Sequence, residues 1–281
     1  MLEPRIHFTP DSRMDGSNPW TGLQEYFMPA WDPSGADVLF LAGMDWKGMT
    51  DIPREKIPTR IINLIQGMRH ADPEIKLYEF LSNHALRICV SNEVSEAILA
   101  TGRVNGPVVT IPNGIDLSLF SEFNKPWAER PNDILIAGIK NPVMATELHH
   151  ECRKLGLTTT CITVPVPRKE FLGMMGDSRF TVFLPLESEG FYLPALEGMA
   201  AGTFVICPDC VGNRTFCTDG QNCMMPDYST EAILRTIMTA FQTDTARLNE
   251  MKGNAILITA KHDLMEERKS FHLLLEEYVF R

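Results

Sequence analysis

The stretch that decides the fold is Glu189-Gly190-Phe191-Tyr192-Leu193-Pro194-Ala195-Leu196-Glu197. It follows an apolar run at 180–186, and it opens a predicted helix that ends near Gly202. A junction of strand, loop and helix presents backbone N–H groups at the positive end of the helix dipole, which favours an anion. The carboxylates of Glu189 and Glu197 would repel that anion, but they accept hydrogen bonds from hydroxyl groups. Amide donors beside diol acceptors are what a nucleotide-sugar requires.

The composition is that of a folded chain with an excess of acidic residues. Its 281 residues allow one large domain or two of about 140 residues. The net charge of −10 argues against broad binding of a nucleic-acid backbone. The sequence has no apolar signal core at its start and no apolar run of the roughly 18 residues that a membrane span needs. Seven cysteines suit a reducing compartment better than a disulfide framework, so we expect a cytoplasmic protein.

Apolar runs alternate with predicted helices, which indicates parallel sheets with helices on both faces. In the first half, the predicted strands are 5–9, 37–43, 60–65, 85–90 and 107–111, and the predicted helices are 22–28, 75–83 and 93–100. After a polar linker at 120–132, the predicted strands are 133–137, 158–164, 180–184 and 203–207. The helices of this half are 142–155, 168–175, the one that follows Glu189, 231–243, 245–258 and 265–278.

This alternation predicts an α/β protein with two Rossmann-like, doubly wound lobes that face a cleft. In such sheets ligands bind beyond the carboxyl ends of the strands, where the Glu189 loop falls. We assign residues 1–120 to a short N-terminal lobe and residues 121–265 to a C-terminal lobe that carries the Glu189 junction. The last helix, about 266–281, is predicted to pack back onto the first lobe through four apolar side chains, Phe271, Leu273, Leu274 and Leu275.

Pro194 and the two acids give the junction its predicted chemistry. Proline lacks an N–H and suits the first helical turn, so we expect the amides from Gly190 to Leu193 to be free. Glu197 would accept hydrogen bonds from a vicinal diol such as a ribose, and Glu189 from sugar hydroxyls. The alternative is a helix whose acids only complement its dipole. That alternative explains one glutamate better than two with a glycine and a proline between them.

The segment Ser188 to Gly202 resembles the signature of retaining glycosyltransferases of the GT-B fold, family 4 type (glycosyl transferases group 1). Asn113-Gly114-Ile115-Asp116 resembles the P-N-G-I-D segment of that family, and residues 219–222 resemble its D-G-x-N turn. The resemblance is specific at 130–227, looser at 91–116, and general only at 1–65. It implies transfer of a sugar from a nucleoside diphosphate to an acceptor hydroxyl, with retention of the anomeric configuration. It also implies that residues 1–120 form the acceptor-side lobe and residues 121–265 the nucleotide-sugar-binding lobe.

The resemblance also implies roles for single residues of the second lobe. Glu189 would meet the donor sugar, Glu197 the ribose, and the amides of residues 191–193 the sugar and the diphosphate. Two positions depart from the family pattern. Tyr192 replaces the usual second glycine, so we expect extra bulk beside the sugar. Gly198 replaces the usual alanine and slightly lowers the helix propensity.

The diphosphate requires cations, which the family usually supplies as an Arg just after the first strand of the second lobe and a Lys about five residues on. Here that strand is followed by Gly138-Ile139-Lys140-Asn141, while Thr146 stands near the second position. We expect Gly138 and Lys140 to contact the donor phosphates. The alternative for Lys140 is a solvated loop lysine. Three residues could supply the second cation, namely Arg168, Lys169 and Arg214.

The first lobe offers further candidates. His70 follows the strand at 60–65, and in the family such a histidine reaches across the cleft to the donor sugar, although a lone histidine is often structural. The catalytic candidates are therefore Glu189, His70 and Lys140. On the acceptor side we place Arg69, which also competes for a phosphate contact, and Gly16 and Trp20 of the loop at 15–22. Trp20 could stack on a sugar ring or lie partly buried in a turn.

Other chemistries lack their motifs. A zinc site at Cys207, Cys210, Cys217 and Cys223 is disfavoured, because the second pair has the wrong spacing for a zinc knuckle. The sequence contains neither G-x-G-x-x-G, nor a P-loop, nor a metal-chelating D-x-D pair. We therefore expect no cofactor and no metal. The nature of the acceptor stays open between a glycan, a lipid-linked molecule and a small molecule, with modified nucleic acid disfavoured by charge.

Two other functions stay open. One is a non-catalytic subunit that binds a nucleotide-sugar for a partner enzyme. The other is a phosphorylase or an epimerase of the same fold, although no second anion site is evident for a phosphorylase. The short first lobe suggests a compact acceptor, or acceptor surface borrowed from a partner in a homo- or hetero-oligomer.

Overall fold

Two parallel four-stranded sheets form the framework of the computed structural model, which describes residues 3–9, 12–14, 18 and 20–279. The first sheet has the order β1-β2-β3-β4. Its strands are β1 (Leu39–Ala42), β2 (Ile61–Ile65), β3 (Leu86–Cys89) and β4 (Val108–Thr110). The second sheet has the order β6-β5-β7-β8. Its strands are β5 (Asn132–Ala137), β6 (Thr159–Ile162), β7 (Ser178–Phe183) and β8 (Phe204–Ile206). The predicted α/β class with two parallel sheets is confirmed.

The helices follow the predicted alternation. Those of the first half are α1 (Lys76–Glu79) and α2 (Asn92–Ala100). Those of the second half are α3 (Pro142–Lys154), α4 (Arg168–Gly176), α5 (Leu193–Ala200), α6 (Thr230–Gln242), α7 (Thr245–Lys261) and α8 (Leu264–Val279). Side-chain caps fix several helix starts: Ser91 accepts a hydrogen bond from the Val94 N–H, and Asn141 accepts one from the Met144 N–H. None of the helices in the described part of the chain has the length and hydropathy of a membrane span.

Alternate residues of the second sheet face two different apolar clusters. Ile134 and Ile136 of β5 point to one cluster, while Leu135 and Ala137 point to the other. This alternation buries both faces of the sheet under helices, as expected for parallel strands. The carboxyl ends of β5 and β7 consequently lie side by side at one edge, where the loops after Ala137 and Phe183 begin.

Three predicted elements of the first half are wrong or shortened. The strand at 5–9 is absent, because Ile6 makes only an isolated bridge with Phe27. The helix at 22–28 is reduced to one 3-10 turn, Gln24–Tyr26. The helix at 75–83 ends after α1 in a 3-10 turn, Phe80–Ser82. The α-helix does not continue, because the carbonyl groups of residues 80, 81 and 83 accept hydrogen bonds from the buried guanidinium of Arg87.

The last helix, α8, packs against the first sheet. Phe271, Leu274 and Leu275 pack on the apolar face of the first sheet. Leu273 does not, since it lies on the opposite side of α8 and is 56% exposed. Just before α8, Asp263 forms an isolated parallel bridge with Ile115. A Cβ on Gly114 would lie only 2.7 Å from the Leu264 Cα, so this backbone crossing requires glycine.

Candidate functional site

The loop between β7 and α5 lies at the contact between the two lobes. β7 is an inner strand of its sheet, so this loop leaves the sheet beside the loop that follows β5. Pro194 stands in the first turn of α5, as predicted. Glu189 and Gly67 form an isolated antiparallel bridge, which joins the loop directly to the segment after β2. Main chain of both lobes therefore meets at the candidate site.

Of the two glycines at this bridge, Gly190 is required for the close contact between the lobes, and Gly67 is not. A Cβ on Gly190 would lie 2.2 Å from the Gln66 carbonyl oxygen and 2.6 Å from the Gly67 Cα. A Cβ on Gly67 would meet no atom nearer than 3.9 Å. Beneath the loop, a Cβ on Gly212 would lie 2.8 Å from the Tyr192 nitrogen. The Glu189 loop is thus held between the first lobe and the Gly212 turn, a support that no sequence motif predicted.

The structure brings together two of the three catalytic candidates as an ion pair. The Lys140 Nζ lies 3.7 Å from the Glu189 Oε1, and the Lys140 side chain is about half exposed. The Glu189 Oε1 is buried and accepts no hydrogen bond within the described residues. Gly138 does not offer its N–H to a ligand, since that group donates to the Ile162 carbonyl. Its role is steric, because a Cβ there would lie 2.1 Å from the Ala145 Cβ.

Glu197 is a buried carboxylate in the middle of α5. It is 5% exposed, and the Arg168 Nη2 lies 2.6 Å from its Oε1. This contact is a close ion pair, which compensates the charge of the buried Oε1. Burial raises the pKa of Glu197, and the nearby Arg168 opposes that shift. An acceptor of this kind suits a ligand that donates hydrogen bonds.

His70 lies in a 3-10 turn directly after the bridge residue Gly67. It is 6% exposed, and its Nδ1 lies 3.2 Å from the Gly67 carbonyl oxygen. A carbonyl oxygen only accepts, so Nδ1 carries the proton and Nε2 keeps a lone pair. Nε2 is buried and has no partner in the described part of the chain. Burial lowers the pKa of His70, which favours the neutral imidazole.

Two predictions about the segment 191–193 are wrong. The Tyr192 N–H is not free but donates to the Gly212 carbonyl oxygen at 2.8 Å, and the Leu193 N–H donates to the Phe191 carbonyl oxygen at 3.2 Å. The Phe191 N–H has no acceptor among the described residues. The Tyr192 ring does not add bulk beside the sugar position. It is 5% exposed and packs edge-on against Phe183 in the core.

Phe191 is anchored by residues that the sequence interpretation did not single out. Its ring lies 5.3 Å from the Phe216 ring and 5.5 Å from the His262 ring. Asn222 of the D-G-x-N turn donates a hydrogen bond to the Phe216 carbonyl oxygen, and so holds that turn in place. The turn therefore supports the Glu189 loop from below.

The candidates for a second phosphate cation each have a carboxylate partner. Arg168 pairs with Glu197, Lys169 with Glu122 and Arg214 with Asp209. On the acceptor side, Arg69 is exposed beside His70, and Trp20 is 46% exposed in a turn closed by the side chain of Asn18. Gly16 lies outside the described residues. Their roles stay predictions.

The four clustered cysteines Cys207, Cys210, Cys217 and Cys223 are buried free thiols. Burial raises the pKa of Cys207 well above its usual range. Over the described ranges, no group of three or more His, Cys, Asp or Glu side chains has the arrangement of a metal site. These thiols accordingly serve as small apolar core residues.

A match to the sequence profile of a protein family identifies the family of this chain. The profile described as "Glycosyl transferases group 1" matches residues 91–243, more than half of the chain. The chain belongs to the group 1 glycosyltransferase family. The match includes β5 to β8, the Glu189 loop and α5. No curated protein sequence matches this group 1 chain significantly.

Three solved structures with the same fold differ in the fraction of their length that aligns with this chain. The pneumococcal O-GlcNAc transferase GtfA, in complex with UDP and GlcNAc, has 16% identity and a TM-score of 0.58, covering 79% of this chain and 53% of that one. Sucrose-phosphate synthase from Thermosynechococcus elongatus has 15% identity and a TM-score of 0.65, and the alignment covers 92% of this chain and 76% of that one. Anabaena Alr3699/HepE, in complex with UDP-glucose, has 15% identity and a TM-score of 0.60, and the alignment covers 78% of this chain and 72% of that one.

At these identities the likeness shows the fold, which is the predicted two-lobed GT-B arrangement. The chain spans about half the length of the pneumococcal protein.

Proposed function

We propose that this chain transfers a sugar from a nucleoside diphosphate donor to an acceptor hydroxyl, with retention of the anomeric configuration and without a metal ion. One observation carries the proposal. Glu189 and Glu197 flank the first turn of α5. Among the described residues the buried Glu189 Oε1 accepts no hydrogen bond, and the buried Glu197 carboxylate is held by the guanidinium of Arg168 alone. Such oxygens are costly unless a donor satisfies them, and the hydroxyls of a ribose and a sugar are suitable donors.

In the proposed reaction the protein acts mainly through electrostatics and position. Lys140 and the free Phe191 N–H stabilise the charge that develops on the leaving diphosphate. Glu189 and the His70 Nε2 accept hydrogen bonds from the sugar as it passes through an oxocarbenium-like state. The leaving phosphate takes the acceptor proton, so no protein nucleophile is required. The lobe contact at Gly190 excludes water, which would otherwise hydrolyse the donor.

Absence of a metal is proposed from the sequence, which has no D-x-D pair, and from the position of Lys140 as the cation beside Glu189. The free thiols support a reducing, cytoplasmic location. Two of the neighbouring structures are complexes with UDP or UDP-glucose, so a uridine donor is the first to test. We propose a compact glycan, lipid-linked or small-molecule acceptor.

The test is a panel of UDP-, GDP-, ADP- and dTDP-sugars, read by thermal shift and by release of free nucleotide. We expect at least one donor to raise the melting temperature and to release its nucleotide slowly by hydrolysis, and faster with an acceptor. Glu197→Ala should lose the thermal shift, while the Glu187→Ala control, an exposed acid two residues before Glu189, should retain it. Absence of any shift across the panel would contradict the proposal. Binding without release under every acceptor would instead favour a non-catalytic subunit.

A further inference from the structure

Arg168 and Glu197 form an asymmetric pair between two helices. Arg168 is the first residue of α4, and its side chain is 56% exposed, whereas the Glu197 side chain on α5 is 6% exposed. The Nη2 to Oε1 distance is 2.6 Å. An exposed guanidinium thus covers a buried carboxylate at the position proposed for the ribose.

A carboxylate as buried as that of Glu197 tends to take up a proton unless a cation compensates it. α5 packs against α4, α7, β7, β8 and the Gly212 turn, and it carries no second charged residue. Other charged groups of these elements have partners elsewhere. Lys169 faces Glu122, Lys252 faces the Trp127 ring, Arg179 faces Asp133 and Arg247 faces Glu250. Within the described chain, Arg168 is the charged group that acts on Glu197.

We infer that Arg168 is a positioning residue, which holds Glu197 ionised and oriented so that its carboxylate accepts the hydroxyls of a nucleotide ribose. This inference rests on the proposed function of the site. It differs from the sequence-based expectation that Arg168 contacts the diphosphate. Moving the guanidinium to a phosphate would leave Glu197 buried and uncompensated, which is costly. An ionised carboxylate accepts two hydroxyl donors, whereas a protonated one has to donate at one oxygen.

The variants for the test are Arg168→Met, which removes the charge but keeps much of the side-chain length, and Arg168→Lys, which restores the charge. The matched control is Arg235→Met. Arg235 lies on α6, away from the candidate site, and its ion pair with Glu231 is exposed on both sides. Loss of a surface pair of that kind has little effect.

The first arm measures urea unfolding without nucleotide between about pH 5 and pH 8. Glu197 has a raised pKa in the folded state, so the stability it contributes is present at low pH and is lost as the pH rises through that pKa. Without Arg168 the pKa of Glu197 rises further, so we expect the urea midpoint of Arg168→Met to fall more steeply with pH than that of the wild type or of Arg235→Met. Adding Glu197→Gln to Arg168→Met should abolish the difference.

The second arm measures the Kd of UDP, or of the nucleotide that the donor panel selects, over the same pH range by calorimetry. At about pH 6 we expect Arg168→Met to bind about 10-fold more weakly than the wild type, with a smaller difference at about pH 8. Arg168→Lys should recover most of the affinity, and Arg235→Met should match the wild type.

The outcomes separate this inference from the proposed function. A wild-type chain that binds no nucleotide overturns the proposed function, whatever the first arm shows. Wild-type binding, with Arg168→Met unchanged at every pH, overturns the positioning role alone. A loss that is equal at all pH values also overturns it. Such a loss indicates a direct phosphate contact if lysine rescues the affinity, and a merely structural role if lysine does not.

Discussion

The two lobes contribute different kinds of groups to the site where they meet. The second lobe supplies charged side chains, Glu189 with Lys140 and Glu197 with Arg168. The first lobe supplies main chain at Gly67 and the imidazole of His70, whose pKa is lowered by burial. This difference teaches that the electrostatic part of the proposed reaction is built on one lobe, while the other lobe supplies shape, closure and a neutral acceptor. Substitutions in the two lobes should therefore impair the reaction in different ways.

The largest effect is expected at the acid beside Lys140. Glu189→Ala should lower turnover by about 100-fold or more, because it removes an acceptor for the reacting sugar and the partner of Lys140. Nucleotide affinity should change much less, since Glu197 remains. Steady-state kinetics with the selected donor, together with a nucleotide Kd, measures the two effects. Turnover equal to that of Glu187→Ala would remove Glu189 from the reaction.

The bridge between the lobes offers a matched pair of glycine variants. Gly190→Ala should lower kcat/KM by about 10- to 100-fold, because its Cβ would lie 2.2 Å from the Gln66 carbonyl oxygen and force the loop to move. Gly67→Ala should stay within about 2-fold of the wild type, since its backbone is extended and its Cβ would have room. Equal kinetics for both variants would show that the lobes do not meet in this way during turnover.

Substitutions in the last helix, α8, test how that helix packs on the first lobe. Phe271→Ala should lower the free energy of unfolding by about 2 kcal/mol, because its ring packs on the first sheet. Leu273→Ala should change it by less than about 0.5 kcal/mol, since that side chain is exposed. Urea unfolding measures both values. Reversal of their order would mean that α8 presents its other face to the sheet.

The smallest effect is expected at the candidate acceptor loop. Trp20→Ala should leave the free energy of unfolding within about 0.5 kcal/mol of the wild type, because the side chain is 46% exposed. If Trp20 stacks on the acceptor, the variant should raise the KM for the acceptor by about 5-fold and leave the Kd for the donor unchanged. An unchanged KM for the acceptor would remove Trp20 from the site.

The second lobe was more predictable from the sequence than the first, for physical reasons. Its strands are continuous apolar runs, and Asn141 and Ser229 cap its helices, so local signals agree with the tertiary fold. In the first lobe the helix after residue 75 ends early because Arg87, several residues further on, takes its carbonyl groups. A local pattern cannot reveal that competition.

The candidate site was predictable in part for the same reason. The paired acids follow from one short segment, and the structure brings Lys140 to the first of them. The use of the Tyr192 N–H by Gly212, and the pairing of Arg168 with Glu197, depend on elements that are about 20 or more residues apart in sequence. Their geometry is set by how α4, α5 and the Gly212 turn pack, which no spacing in the sequence encodes.

The most direct measurement compares a nucleoside diphosphate with its 2′,3′-dideoxy counterpart in wild type and in Glu197→Ala, by calorimetry. If Glu197 holds the ribose, the wild type should bind the ribose form about 10-fold more tightly, and the variant should bind both forms about equally. The same preference for the ribose form in both proteins would place the ribose away from α5 and contradict the assignment.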